Sequence, residues 1–163
     1  MSSLADLQDK VCASQDLPAR LRTLPRPLVF TNGVFDVLHR GHVLCLHEAR
    51  RLGGSLVVAI NTDHSARQLG KGPDRPLNRE LDRALVLAGL ASVSLVTFFD
   101  ENTPLALLKV VRPDIYVKGG DYDMEKLAET ALVRQWGGTS VAIPFVEGYS
   151  TTSLVTRIRS HAP

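Results

Sequence analysis

The stretch Phe30-Thr31-Asn32-Gly33-Val34-Phe35-Asp36-Val37-Leu38-His39-Arg40-Gly41-His42 leaves a chain few ways to fold. A short apolar run over residues 27–30 leads into glycine and polar residues. From Gly41 the sequence then places Val43, Leu46, Ala49 and Leu52 at helical spacing. The stretch therefore reads as strand, turn and helix, with Gly33 expected to allow a turn conformation denied to bulkier residues. His39 falls just before the helix and His42 in its first turn. That turn exposes unpaired N–H groups and the positive end of the helix dipole, so anions bind there readily, and Gly41 permits close approach.

Two imidazoles beside such amides add donors around a phosphate whose charge rises during reaction, which suits phosphoryl or nucleotidyl transfer. Blander readings exist. A histidine at a helix start often does no more than sit on the surface or cap the end. His39, His42, Cys45 and His47 are also residue types that ligate zinc. Asn32, Gly33, Asp36 and Gly41 in the same stretch favour the phosphate site, and His47 falls on another part of the helix.

The rest of the chain alternates strands with helices. A polar helix is expected over residues 3–11, with a linker through Pro18 and Pro25-Arg26-Pro27. After Gly53-Gly54, residues 55–61 read as a second strand, apolar throughout its middle (56–60), of the kind found inside parallel sheets. Asn61, Thr62 and Asp63 end it on the edge where α/β proteins collect ligands, although Thr62 or Asp63 is equally suited to capping the next helix. Residues 70–78, Gly-Lys-Gly-Pro-Asp-Arg-Pro-Leu-Asn, make a basic loop. Lys71 and Arg75 either cover a phosphate or are solvated charges; the spacing is not that of a Walker A loop.

A helix over about 78–90 follows, with Arg83 read as a surface or salt-bridge residue. Residues 93–98 give a third strand. Thr103 is expected to cap the next helix, with Pro104 at its first position. Residues 114–117 form a fourth strand delivering Lys118-Gly119-Gly120-Asp121-Tyr122 to the ligand edge, where Asp121 either accepts from ribose hydroxyls or closes a tight turn. A helix over 124–136 and a strand over 139–143 come next. Gly148-Tyr149-Ser150-Thr151-Thr152-Ser153 then opens a last amphipathic helix, its hydroxyls suited to capping or to holding outer phosphates.

The expected fold is a Rossmann-like doubly wound α/β domain, a parallel sheet of about five strands with helices on both faces. At 163 residues the chain fits one domain. A net charge of +2 with 22% charged residues gives no field for nucleic acid, so a small-molecule partner is expected. Two cysteines, Cys12 and Cys45, form no disulfide framework. No N-terminal apolar run suggests a signal or a membrane span, which points to a reduced, cytoplasmic protein.

The segment Thr31 to Asp36 followed by His39-Arg40-Gly41-His42 resembles the HxGH nucleotidyltransferases, the family of cytidylyltransferases, pantetheine-phosphate adenylyltransferase and class I tRNA synthetase cores. TNGVFD with HRGH, KGPDRP, VKGGDYD and GYSTT stand in the order of its heptose 1-phosphate adenylyltransferase branch, across residues 28–159. The resemblance implies ATP and a sugar 1-phosphate as partners and Mg²⁺ with the ATP; a homodimer is expected because apolar surface on such small α/β domains often pairs. It divides the chain into a helix and linker, 1–27, and a nucleotidyltransferase domain, 28–163, standing alone where some relatives are fused behind a sugar kinase.

It also implies residue roles. His39, His42 and Lys71 would act on the transferring phosphate. Thr31, Asn32, Gly33, Phe35, Gly41, Lys118, Gly119, Asp121, Ser150, Thr151 and Thr152 would bind nucleotide. Asp36, Asn61 and Arg75 would serve the sugar substrate, with Asp36 orienting donors or meeting the metal. The competing readings are a cytidylyltransferase acting on a polyol phosphate such as glycerol 3-phosphate, and a non-catalytic nucleotide- or metal-binding regulator.

Overall fold

A computed structural model describes residues 4–70, 72, 74–120, 122–144 and 148–160. Five strands, β1 (Leu28–Gly33), β2 (Ser55–Asn61), β3 (Leu95–Phe99), β4 (Ile115–Gly119) and β5 (Thr139–Ile143), form one parallel sheet in the order β3-β2-β1-β4-β5. The expected doubly wound α/β architecture is present. Strand order reverses between β1 and β4, and in such sheets the crevice beyond the carboxyl ends at that point takes the ligand.

All seven residues of β2 are buried, as a strand covered on both faces requires. Side chains alternate. Leu28, Phe30, Val57, Ala59, Leu95 and Tyr116 enter one core, while Val29, Leu56, Val58, Ile60, Val96 and Val117 enter the other. The first core is closed by α2 (Leu17–Leu21), α6 (Leu105–Val111) and α7 (Ala128–Arg134), through Leu17, Leu107, Leu108, Val111 and Val133. The second is closed by α3 (Arg40–Arg51) and α5 (Glu80–Ala88), through Leu46, Ala49, Ala84, Leu87 and Ala88. The turn between α3 and β2 depends on glycine: a Cβ on Gly53 would lie 2.3 Å from the Pro27 carbonyl oxygen. The remaining helices are α1 (Leu4–Asp9), α4 (Asp63–Gln68) and α8 (Thr151–Ser160). No helix of the described residues is long and apolar enough to cross a membrane.

Several expectations need correction. The segment read as a linker contains α2, whose Leu17 is fully buried, and Val11 makes an isolated parallel bridge to Val96, so this stretch belongs to the core. Of the expected stripe, Leu46 and Ala49 of α3 are buried, while Val43 and the C-cap residue Leu52 at its two ends are exposed. The helix after β3 begins one residue late, with Pro104 rather than Thr103 at the cap position. The stretch 124–136 is two pieces, a 3₁₀ turn Met124–Lys126 and then α7. Asp123 caps the first through the Glu125 amide, and Leu127 between them is extended.

Candidate active site

The special backbone of the opening motif lies at Phe35, not Gly33. Phe35 adopts φ +49°, a left-handed conformation that costs a bulky residue free energy and persists only where its surroundings hold it. Gly33 makes room instead: a Cβ there would meet the Phe35 ring at 3.0 Å. The turn delivers His39 to the N-cap of α3 with φ −139° and no capping hydrogen bond from its side chain, which leaves the amides of the first turn open to a ligand. A Cβ on Gly41 would come within 3.1 Å of the His39 ring, so only glycine fits against the imidazole without displacing it.

The rings of His39 and His42 stack with centroids 3.7 Å apart, and Phe35 sets its edge against His42 at 5.1 Å. Among the described residues, the buried Nδ1 of His39 has no hydrogen-bond partner. Burial pushes the His39 imidazole below its usual value. A neutral His39 ring stacked on His42 can donate to an anion without the mutual repulsion of two imidazolium ions. Zinc ligation by His39, His42, Cys45 and His47 has no matching geometry, since no three such side chains gather into a metal-holding group among the described residues.

The sign of the His39 shift makes a testable statement. A depressed value in the fold means that the unfolded chain binds more protons between that value and the ordinary ~6.5. The neutral ring's stabilisation is thus complete above the ordinary value and fades as pH falls through the window. Unfolding free energies from denaturant titrations at about pH 8 and about pH 5 should show the wild type losing more stability than His39→Gln. Parallel losses would contradict it.

The start of α8 comes against the start of α3. Tyr149 packs on Gly41 and lies under the Arg40 guanidinium at 5.5 Å, Arg40 also donates to its hydroxyl at 3.4 Å, and Thr151 Oγ1 donates to the Val37 carbonyl at 3.5 Å. Ser150 accepts from the Ser153 amide at 3.0 Å, which realises the capping expectation for that hydroxyl. Thr152 lines a cleft of about 170 Å³ with Gly72, Asp74, Arg75, Val155, Thr156 and Arg159, between α8 and the basic loop. A larger hollow of about 580 Å³, lined by Asp63, Arg67, Arg79, Glu80, Leu81 and Asp82, includes none of the expected site residues.

On the other flank, Asn32 Oδ1 accepts from Tyr116 at 3.0 Å and from Lys118 at 3.3 Å. Burial pushes the Tyr116 phenol up, with Glu129 and Tyr122 adding to it, so the hydroxyl remains a donor. Lys118 also lies over the Tyr122 ring at 5.6 Å. Asn32, Lys118 and Gly119 therefore meet at the β1–β4 switch point, as expected of a ligand edge.

Other candidates fall elsewhere. Thr31 is buried inside the sheet, level with Val58 and Val117. Asn61 is buried and donates to Ser65, whose hydroxyl donates to the Glu101 carbonyl, so it holds α4 rather than facing a ligand. Thr62, not Asp63, caps that helix. Asp36 is 7% exposed, and its carboxylate accepts from Arg75, the Leu77 amide and the Asn78 amide, each at 2.9 Å. Burial raises this carboxyl, but the two amides and the guanidinium outweigh it and hold the group below the usual carboxylate range. Asp36 and Arg75 thus fasten the basic loop to the turn. Lys71 and Asp121 lie outside the described residues.

An anion-binding helix mouth at the switch point of a parallel sheet, walled by a second helix start and two histidines, defines a nucleotide-handling α/β enzyme. The chain belongs to the cytidylyltransferase-like family, whose model matches residues 30–157. It is 57% identical over 159 residues to the D-beta-D-heptose 1-phosphate adenylyltransferase of Bordetella bronchiseptica, covering 96% of this chain and 98% of that one. It is 51% identical over 140 residues to the bifunctional protein HldE of Magnetococcus marinus, a match covering 86% of this chain but 28% of that protein. A lipopolysaccharide core biosynthesis protein from Thermoplasma volcanium superposes with a TM-score of 0.62 at 29% identity, over 76% of this chain and 98% of that one. Pantothenate synthetase from Thermus thermophilus, at 21% identity and a TM-score of 0.56, shares the fold.

Proposed function

We propose that this protein transfers the adenylyl group of ATP to a heptose 1-phosphate, releasing pyrophosphate and giving ADP-heptose for a lipopolysaccharide core or related glycan. The observation that carries the reading is the apposition of the α3 and α8 starts at the stacked His39–His42 pair, which makes one cradle for a chain of phosphates. The near full-length relative at 57% identity supplies the substrate class.

A phosphate oxygen of the sugar attacks the α-phosphorus of ATP in line. The bond to the β-phosphate oxygen breaks, and that oxygen leaves with pyrophosphate. No covalent enzyme intermediate is needed, so the chain's work is positioning and charge stabilisation. His39, His42 and the amides at the start of α3 donate to the α-phosphate as its charge grows. Thr151 and Thr152 hold the outer phosphates at the start of α8, and Lys71 adds positive charge from the basic loop. Lys118 and Asp121 serve the nucleoside end. The donor set suits a Mg²⁺ that arrives on the nucleotide, because the Asp36 oxygens are engaged by Arg75, Leu77 and Asn78 and hard oxygens come from phosphates and water. Such an ion neutralises charge on the phosphate oxygens. We place the reaction in the cytoplasm and expect a dimer.

With Mg²⁺ and ATP, pyrophosphate release should require a heptose 1-phosphate. A panel of nucleotides against sugar phosphates, read by pyrophosphate detection, tests this. Faster turnover with CTP and glycerol 3-phosphate would overturn the substrate assignment. No turnover with any pair would favour a binding role.

A further inference from the structure

Arg83 is the largest fully buried side chain among the described residues, at 1% exposed, and nothing in the mechanism above uses it. A buried guanidinium is stable only when paired and hydrogen-bonded. Its neighbours on α5, Ala84, Leu87 and Ala88, are apolar and buried, so an apolar side chain would satisfy packing at this point. What the guanidinium does is join three segments. Nη1 donates to the Val34 carbonyl at 2.7 Å, Nε to the Asn78 carbonyl at 3.1 Å, and Nη2 to the Asp63 carboxylate at 2.7 Å. Val34 belongs to the turn after β1, Asn78 to the end of the basic loop, and Asp63 to the start of α4.

We propose that Arg83 is a positioning residue for the transfer reaction, locking the phosphate-binding turn to the fixed end of the basic loop. The inference rests on the nucleotidyl-transfer reading. Asn78 is gripped twice: its amide and side chain donate to Asp36, at 2.9 Å and 2.6 Å, while its carbonyl accepts from Arg83. Val34 and Asp36 flank Phe35, the residue at φ +49°, so Arg83 and Asp36 restrain the strained turn from both sides. The other end of the loop has Gly70 and Gly72 at φ +65° and +117°, with open space around each. The end of the loop at Asn78 is anchored. Arg83 sets where the anchor stands relative to His39 and His42. The three acceptors are served by three separate nitrogens of one rigid planar fork, an arrangement that lysine's single nitrogen does not reproduce.

Arg83→Lys keeps the charge opposite Asp63, and Arg83→Met removes every contact. Both are compared with the wild type in steady-state kinetics with ATP and heptose 1-phosphate, in amide hydrogen exchange at Leu77 and Asn78, and in thermal melts. For folded Arg83→Lys, kcat should fall ~10- to 100-fold, because a misplacement near 1 Å has that scale of effect, while KM for ATP moves by less than ~3-fold. Exchange at Leu77 and Asn78 should quicken by ~10-fold or more. Arg83→Met, where it folds, should exceed Arg83→Lys in both. Wild-type kcat or wild-type exchange in folded Arg83→Lys would overturn the proposal, as would a loss of rate that merely follows a loss of folded protein. An inactive wild type would instead overturn the reaction assigned above, so the two failures are distinguishable.

Discussion

Replacing His39 or His42 by alanine is expected to lower turnover by ~100-fold or more while leaving ATP affinity nearly unchanged. The asymmetry follows from where the rings sit. They stack at 3.7 Å beside the open amides of the first turn of α3, and in the proposed reaction their donors would act on charge that the phosphate acquires only as the sugar oxygen attacks. Binding of ground-state ATP is shared with the α8 start and survives the loss of one donor. The fold should survive too, because the inward stripe of α3 is completed by Leu46 and Ala49 without either histidine. Turnover, ATP affinity by calorimetry, zinc content and melting temperature belong on the same preparations. Near-normal turnover in both variants would sink the catalytic assignment. Stoichiometric zinc lost together with melting temperature would point to a metal centre.

The sequence made the frame legible because the frame is written in local pattern. The unbroken apolar run 56–60, framed by Ser55 and Asn61, reads as a doubly covered strand, and all of β2 is buried. His39 and His42 were legible for the same reason: a glycine and a helical periodicity fix them at a helix start whatever surrounds it. What stayed hidden depends on partners far along the chain. Arg83 reads from sequence as a surface or salt-bridge residue, and it does pair with Asp63, but its burial and its acceptors, 49 residues away at Val34 and 20 away at Asp63, show only in the fold. Asn61 and Asp36 end or follow strands on the ligand edge and so resemble ligand groups. Only the fold reveals that Ser65 and the 75–78 segment occupy them. Val43 and Leu52 misled in the opposite way, since helical spacing defines a stripe but not how much of its length is covered, and here only its middle, Leu46 and Ala49, is buried.

Asp36→Ala should act first on stability, which separates an anchoring carboxylate from a substrate or metal ligand. The change leaves the Leu77 and Asn78 amides and the Arg75 guanidinium without their acceptor in a place that is 7% exposed. Removing one partner of a buried ion pair typically costs ~3–5 kcal/mol, which in a chain of this size lowers the melting temperature by roughly 6–20 °C. Asp36→Asn, which retains one acceptor oxygen, should fall between. The pH dependence has a fixed sign. The fold holds this carboxyl below its ordinary value of ~3.9, so its stabilisation is complete above that value and is lost as pH falls through the depressed one. The stability gap between wild type and Asp36→Ala should therefore be constant from about pH 7 to about pH 5 and narrow towards about pH 3. Denaturant titrations across that range, with turnover measured alongside, decide the matter. A carboxylate that served only a ligand would give an alanine variant as stable as the wild type, with only the kinetics impaired, and that outcome would return Asp36 to the substrate site.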